Sequence, residues 1–111
     1  MRDTEKKPAV VYIAGKMTGL PDYGRAQFNA MEAELVKLGY IVLNPACLPL
    51  GMETERYMPI TLAMLSQADK VCFLNGWETS QGAILERKYA EYQQKEILSE
   101  DDFRKLSKET A

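Results

Sequence analysis

The chain has 111 residues, 46% of them hydrophobic and 27% charged, and 14 lysines and arginines against 16 aspartates and glutamates leave a net charge of −2. That describes one ordinary globular domain, burying roughly two thirds of the surface its unfolded chain exposes, with no basic excess to draw it onto nucleic acid or an anionic membrane. A histidine count of zero removes Ser-His-Asp and Cys-His catalysis and the usual zinc ligand, and the two cysteines are too few for a disulfide framework.

Residues 1–8 are charged and read as an N-terminal extension. The run Ala9 to Ala14 is β-branched and aromatic without polar alternation, which suits a strand covered on both faces. Gly15 to Asp22 holds two glycines and a proline and reads as a loop, with Asp22 as the N-cap of a helix from Tyr23. In that helix Phe28, Met31, Leu35 and Leu38 recur at spacings of three, four and three and form one apolar stripe, ending at Gly39. Tyr40 to Leu43 repeats the strand composition and stops at Asn44-Pro45, where proline cannot donate into a ladder.

A loop follows through Met52, and Pro59 is expected at the first position of a second helix opened by Met58 or a residue just before it and closed near Ala68. Val71 to Leu74 is a third buried-type strand, linked by Asn75 to Thr79 to a helix from about Ser80 to Gln94. An edge strand near Glu96 to Leu98 is a further expectation, and Asp101 to Ala111 reads as a short charged helix or a frayed tail that docks on a second subunit. The order β-α-β-α-β-α implies an α/β three-layer sandwich around a small parallel sheet with right-handed crossovers, of flavodoxin or Rossmann type. Cys47 and Cys72 are expected to be reduced and buried. No apolar run approaches the ~18 residues of a membrane span, so no membrane partner and a cytoplasmic location are expected.

Ligands of open parallel sheets bind beyond the carboxyl ends of the strands, where loops and helix N-termini converge. The segment after the third strand is the most informative of the three there. With Ser80 as N-cap, Gly82 and Ala83 fall in the first helical turn, whose free N–H groups and positive end suit an anion such as a phosphate. Helical spacing places Gly82, Ala83, Glu86 and Ala90 on one side, so that one carboxylate stands among small neighbours that leave room for a ligand. Glu86 is the candidate catalyst. The competing reading makes it part of a solvated Glu-Arg-Lys face, with Ser80 and Gly82 a cap and a close packing point.

Tyr12-Ile13-Ala14-Gly15-Lys16-Met17-Thr18-Gly19, then Asn44-Pro45, then Gly76-Trp77-Glu78-Thr79-Ser80-Gln81-Gly82-Ala83-Ile84-Leu85-Glu86, resemble the nucleoside 2-deoxyribosyltransferase-like superfamily, and most its small, phage-associated branch. The resemblance spans about residues 9–95, which is the domain it implies, with 96–111 as a C-terminal strand, helix or tail. It implies N-glycosidic chemistry on nucleosides or nucleotides, by base exchange or hydrolysis, with no cofactor and no metal. The glutamate matching Glu86 attacks or stabilises the sugar C1′ as the base leaves. The serine and glycine matching Ser80 and Gly82 bind the 5′-phosphate of a nucleotide. Tyr12 orients the glutamate, or is a core aromatic. Gly15 and Lys16 border the ligand. Trp77 stacks on a base or acts as a lid, or packs its loop against the helix.

One position departs from the pattern. Thr61 stands where relatives usually carry an aspartate that contacts the sugar or donates a proton, and a threonine hydroxyl hydrogen-bonds a sugar but supplies no titratable proton near neutral pH. Asp22, Asp69 and Glu78 are candidate replacements. The resemblance further implies a small-molecule nucleotide partner, no nucleic-acid polymer, a homodimer or larger assembly, and the cytosol of a bacterium or phage-infected host. The alternatives to an enzyme are a nucleotide-binding protein without turnover, which Thr61 favours, and an interaction module that reuses the sandwich.

Overall fold

The computed structural model describes residues 7–110. Its elements run β1 (Val10–Ala14), α1 (Arg25–Lys37), β2 (Ile41–Leu43), α2 (Thr54–Ser66), β3 (Lys70–Phe73), α3 (Gln81–Tyr92), β4 (Glu96–Ser99) and α4 (Glu100–Thr110). The four strands are all parallel, in the order β2-β1-β3-β4, with Tyr12 opposite Leu43 on one side and Val71 on the other, and Cys72 opposite Leu98. The α/β sandwich expected from the strand–helix alternation is the architecture observed. Among the described residues no helix is long and apolar enough to cross a membrane.

Strand periodicity divides the core. Successive side chains point to opposite faces of a sheet, so Val11, Ile13, Cys72 and Leu74 join Phe28, Met31 and Leu35 of α1 and Phe103 of α4 in one buried cluster. Tyr12, Ala14, Val71 and Phe73 face the other way and pack with Leu65 of α2 and Ala90 of α3. The apolar stripe predicted for α1 is the one that buries. β4 forms where an edge strand was expected, and the charged C-terminal segment is a docked helix. Phe103 is fully buried and meets Tyr40 edge-on at 5.6 Å between ring centroids. Beside it the Arg104 guanidinium spans Glu34 Oε1 and Oε2, at 3.0 and 3.1 Å, and Glu100 of its own helix.

Three local expectations are corrected. Asp22 does not cap α1: it and Tyr23 have φ of 51° and 54° within a 3-10 turn at Pro21–Gly24, and Gly24, at φ 70°, stands at the N-cap. A Cβ on Gly24 would lie 2.9 Å from the Lys16 carbonyl oxygen, so the left-handed turn needs a glycine where it crosses the preceding loop. Pro59 lies inside α2, which begins at Thr54. Tyr57 secures this earlier turn by donating its hydroxyl proton to Pro49 O at 2.6 Å and accepting from Met52 N at 3.2 Å. Cys72 is buried as expected, but Cys47 is exposed. A 3-10 turn at Pro45–Cys47, capped by the Asn44 side chain through Ala46 N, turns Pro45 and Ala46 inward and Cys47 out.

Because α4 enters the core through one aromatic ring, Phe103→Ala is expected to lower unfolding free energy by ~3–5 kcal/mol, as for other deletions of buried phenylalanines. Urea denaturation reads this directly, and a loss below about 1 kcal/mol would show that α4 is not docked on the sheet.

Candidate active site

The site is assembled where β1 ends, beside the first turns of α3. Tyr12 follows from the period of β1: its side chain is on the α2/α3 face and is fully buried. On α3, Ser80 is the N-cap expected, its Oγ accepting from Ala83 N at 3.2 Å. This start sets the rotation of the helix, so Ala83, Glu86 and Ala90 form its buried face. The two alanines leave space for the carboxylate between them. Glu86 is only 6% exposed, and Tyr12 Oη donates to Glu86 Oε2 at 2.7 Å. The solvated-face reading of Glu86 therefore gives way to a buried, hydrogen-bonded carboxylate.

Thr61 of α2 is the third polar group of this cluster and is 8% exposed. Its Oγ1 donates to Met58 O at 3.2 Å, within its own helix, and lies 3.8 Å from the Met58 sulfur.

Above the three groups opens a cavity of 420 Å³. Tyr12, Thr61 and Glu86 line it together with Gly15, Ser80, Gly82 and Ala83, so seven of the nine sequence-predicted site residues share one enclosure. Gly15 ends β1 against Leu74, where an added Cβ would stand 3.0 Å from the Leu74 Cβ, and Gly82 faces the Met58 methyl with 3.3 Å for such a Cβ. Lys16 and Trp77 are not part of this wall. Trp77 packs on Phe73 at 5.1 Å between centroids, with the Arg87 guanidinium 5.2 Å from its ring, which is the packing reading of that residue. Asp22, Asp69 and Glu78 do not line the cavity either, and Asp69 Oδ2 instead accepts from Val10 N.

The rest of the lining has no counterpart among the predicted site residues. Met17, Met52 and Met58 supply thioether walls, Phe28 an aromatic one, and Tyr23, Tyr57 and Arg25 polar ends. They come from loops and helix starts dispersed through the sequence, and apart from Met17, inside the Tyr12–Gly19 motif, no motif marks them. The Asn44-Pro45 pair did signal its turn: Asn44 Nδ2 donates to Asn29 Oδ1 and Glu32 Oε1, tying the loop after β2 to α1 and placing Pro45 and Ala46 in the wall. Another hollow, outside α2 between Leu43, Ile60 and Met64, has an apolar lining with no ionisable side chain.

Burial controls the titration of the pair. Desolvation raises the Glu86 carboxyl above its usual range, while hydrogen bonds from Tyr12 and Thr61 pull it back. The Tyr12 phenol is pushed well above 10 by burial first, then by the charge of Glu86 and the bond to it, so it remains a proton holder at every physiological pH. Cys72, raised to about 12 by burial, lies on the opposite face of the sheet and supplies no thiolate here.

The folded protein thus binds the Glu86 proton more tightly than the unfolded chain. This linkage contributes stability below the ordinary carboxylate range, and the contribution is lost as pH rises through the raised value. Carboxyl carbon NMR of Glu86 is expected to give a midpoint above the ordinary glutamate value. In Tyr12→Phe, which deletes a bond to the ionised form, the midpoint should move further up. A wild-type midpoint at or below the ordinary value would mean a solvated side chain.

Residues 9–99 match the sequence family described as a domain of unknown function, DUF4406. Among solved structures, the 2-desoxiribosyltransferase from Leishmania mexicana superposes with a TM-score of 0.67 at 23% sequence identity, over 83% of this chain and 63% of that one. The protein therefore spans somewhat less than two thirds of that enzyme's length, and the likeness is one of fold. No curated protein matches the chain. The chain belongs to the DUF4406 family and has the sandwich fold of the nucleoside 2-deoxyribosyltransferase-like proteins.

Proposed function

We propose that the protein breaks or exchanges the N-glycosidic bond of a (deoxy)nucleoside 5′-monophosphate, with Glu86 acting at C1′. The observation that carries this function is the Glu86 carboxylate, buried at the base of a cavity and held at 2.7 Å by Tyr12. Cleavage of such a bond builds positive charge on the sugar ring, in a transition state resembling an oxocarbenium ion. A fixed negative charge in a partly dry enclosure attracts that state more than the neutral sugar that precedes it, which lowers the barrier rather than merely tightening binding. Tyr12 fixes which carboxylate oxygen is engaged and acts as a positioning residue. The cavity volume of 420 Å³ falls within the ordinary range of small-molecule sites.

Ser80, Gly82 and Ala83 at the start of α3 would take the 5′-phosphate, since the amino end of a helix has a positive dipole and N–H groups turned outward, the Ala83 N–H passing from Ser80 Oγ to the anion. Gly82 lets the anion approach the backbone. Gly15 closes the sugar end, and Thr61 lies within reach of a sugar hydroxyl. The deoxyribosyltransferase fold supports a transfer reaction, in which a second base replaces water as acceptor. Self-association into a homodimer, implied by the resemblance, belongs to the same proposal.

Thr61 supports a second function, the binding of a nucleotide without turnover, because this buried residue of α2, which lines the cavity with Glu86, cannot give up a proton near neutral pH. The two are separated by incubating the protein with each deoxynucleoside monophosphate and following free base by chromatography. Release of base that falls at least ~10³-fold in Glu86→Gln, equivalent to about 4 kcal/mol of transition-state stabilisation, is expected of the enzyme. Tight binding with no base released would identify the sensor.

A further inference from the structure

The protons around Glu86 are all held by groups that do not release them. Tyr12 gives its hydrogen to Glu86 Oε2, and Thr61 gives its own to the Met58 carbonyl. Neither an alcohol nor a buried phenol acts as an acid near neutral pH. Among the described residues lining the cavity Glu86 is the one carboxylate, and the other ionisable side chains there are Tyr12, Tyr23, Tyr57 and Arg25. The Tyr57 hydroxyl is itself occupied, donating to Pro49 O. This matters at the nitrogen of the bond to be broken. A neutral purine or pyrimidine departs as an anion unless it is protonated as it leaves, whereas a carboxylate that attacks C1′ has no proton to offer.

We propose that the cavity serves a 5′-nucleotide whose base is already cationic at the glycosidic nitrogen, of the N-linked pyridinium class. This inference rests on the N-glycosidic function proposed above and names its leaving group. In the first step a Glu86 oxygen forms a bond to C1′ as the C1′–N bond breaks. The bonding pair passes to nitrogen, and the pyridinium leaves as a neutral pyridine with no proton transferred. In the second, water adds its oxygen to C1′, the ester bond to Glu86 breaks, the carboxylate is regenerated, and one proton goes to solvent. The balance is nucleotide cation plus water giving neutral base, sugar phosphate and a proton. The lining includes the aromatic residues Phe28, Tyr23 and Tyr57 and the polarisable sulfurs of Met17, Met52 and Met58, groups that attract a cation, and Glu86 supplies a counter-charge beside the one cationic side chain there, Arg25.

The test compares nicotinamide mononucleotide with its dihydro form, which has nearly the same shape but a neutral glycosidic nitrogen, and with the four common deoxynucleoside monophosphates. Released base is followed by chromatography from pH 6 to 9. The oxidised nucleotide is expected to be cleaved at least ~10²-fold faster than the reduced form and the deoxynucleotides, at a rate that does not decline towards pH 9 and that Glu86→Gln abolishes. Thr61→Asp places a second carboxyl against Glu86, where like-charge repulsion keeps one of the two protonated. This variant should accelerate neutral-base substrates without accelerating nicotinamide mononucleotide. Cleavage of deoxynucleotides by the wild-type protein as fast as the pyridinium nucleotide overturns this inference and leaves the N-glycosidic function standing. Release of no base from any of the six overturns both. Should Thr61→Asp fail to fold, the wild-type comparison decides alone.

Discussion

One hydrogen bond joins the two halves of the site. Tyr12 and Glu86 are 74 residues apart in sequence, and their contact requires β1, at the centre of the sheet, and α3, laid across one face of it, to be correctly placed together. A buried carboxylate costs several kcal/mol of lost hydration unless it is hydrogen-bonded, and a buried phenol is likewise costly without a partner. Each group answers the other's need. The strand cannot slip by one residue, since that would turn Tyr12 to the α1 face, and α3 cannot rotate without drawing Glu86 out from between Ala83 and Ala90.

The sandwich also divides its labour. On the α1/α4 side of the sheet the core is closed by large apolar side chains, Phe28, Met31, Leu35 and Phe103, with polar contacts at its margins, Arg104 between Glu34 and Glu100 and the buried Asn44 against Asn29 and Glu32. On the α2/α3 side Ala14, Ala68, Ala83 and Ala90 let the helices lie close between the larger Tyr12, Leu65, Val71 and Phe73. That closeness brings Thr61 and Glu86 to the same place. Both faces of the sheet thus carry a closed apolar core, and two of the buried polar groups, Thr61 and Glu86, lie on the α2/α3 side near the carboxyl ends of the strands as expected for parallel sheets.

Features governed by local periodicity or local chemistry were legible in the sequence. The strand composition of 10–14 and 71–74, the stripe on α1 and the Ser80 cap each depend on neighbours within a turn or two, and each appears where the pattern places it. Glu86 was legible for the same reason, as a helical position flanked by alanine and glycine. Proline at 59 misled because its preference for a first turn is weaker than the anchoring of the preceding turn by Tyr57, a contact to the loop at Pro49 and Met52 that no spacing encodes. Asp22 was a reasonable cap until the crossing of Gly24 over the Lys16 carbonyl forced the chain left-handed. Arg25, Tyr23 and the methionines could not be found this way, since their shared wall exists only after three loops have converged.

That wall is uncommonly soft. Met17, Met52 and Met58 are unbranched, turn freely about three side-chain bonds and present polarisable sulfur, so they can mould to rings of different outline at little energetic cost. The polar part of the lining is stiff, with a phenol, a carboxylate and a helix terminus held by hydrogen bonds, and Met58 reaches into it beside Thr61 and Gly82. On the proposed function, a nucleotide would be gripped at its sugar and more loosely accommodated at its ring. Changes in ring shape would be forgiven far more readily than any change in how the ring is joined, and an inhibitor for this fold would gain more from mimicking the junction than from filling the methionine side.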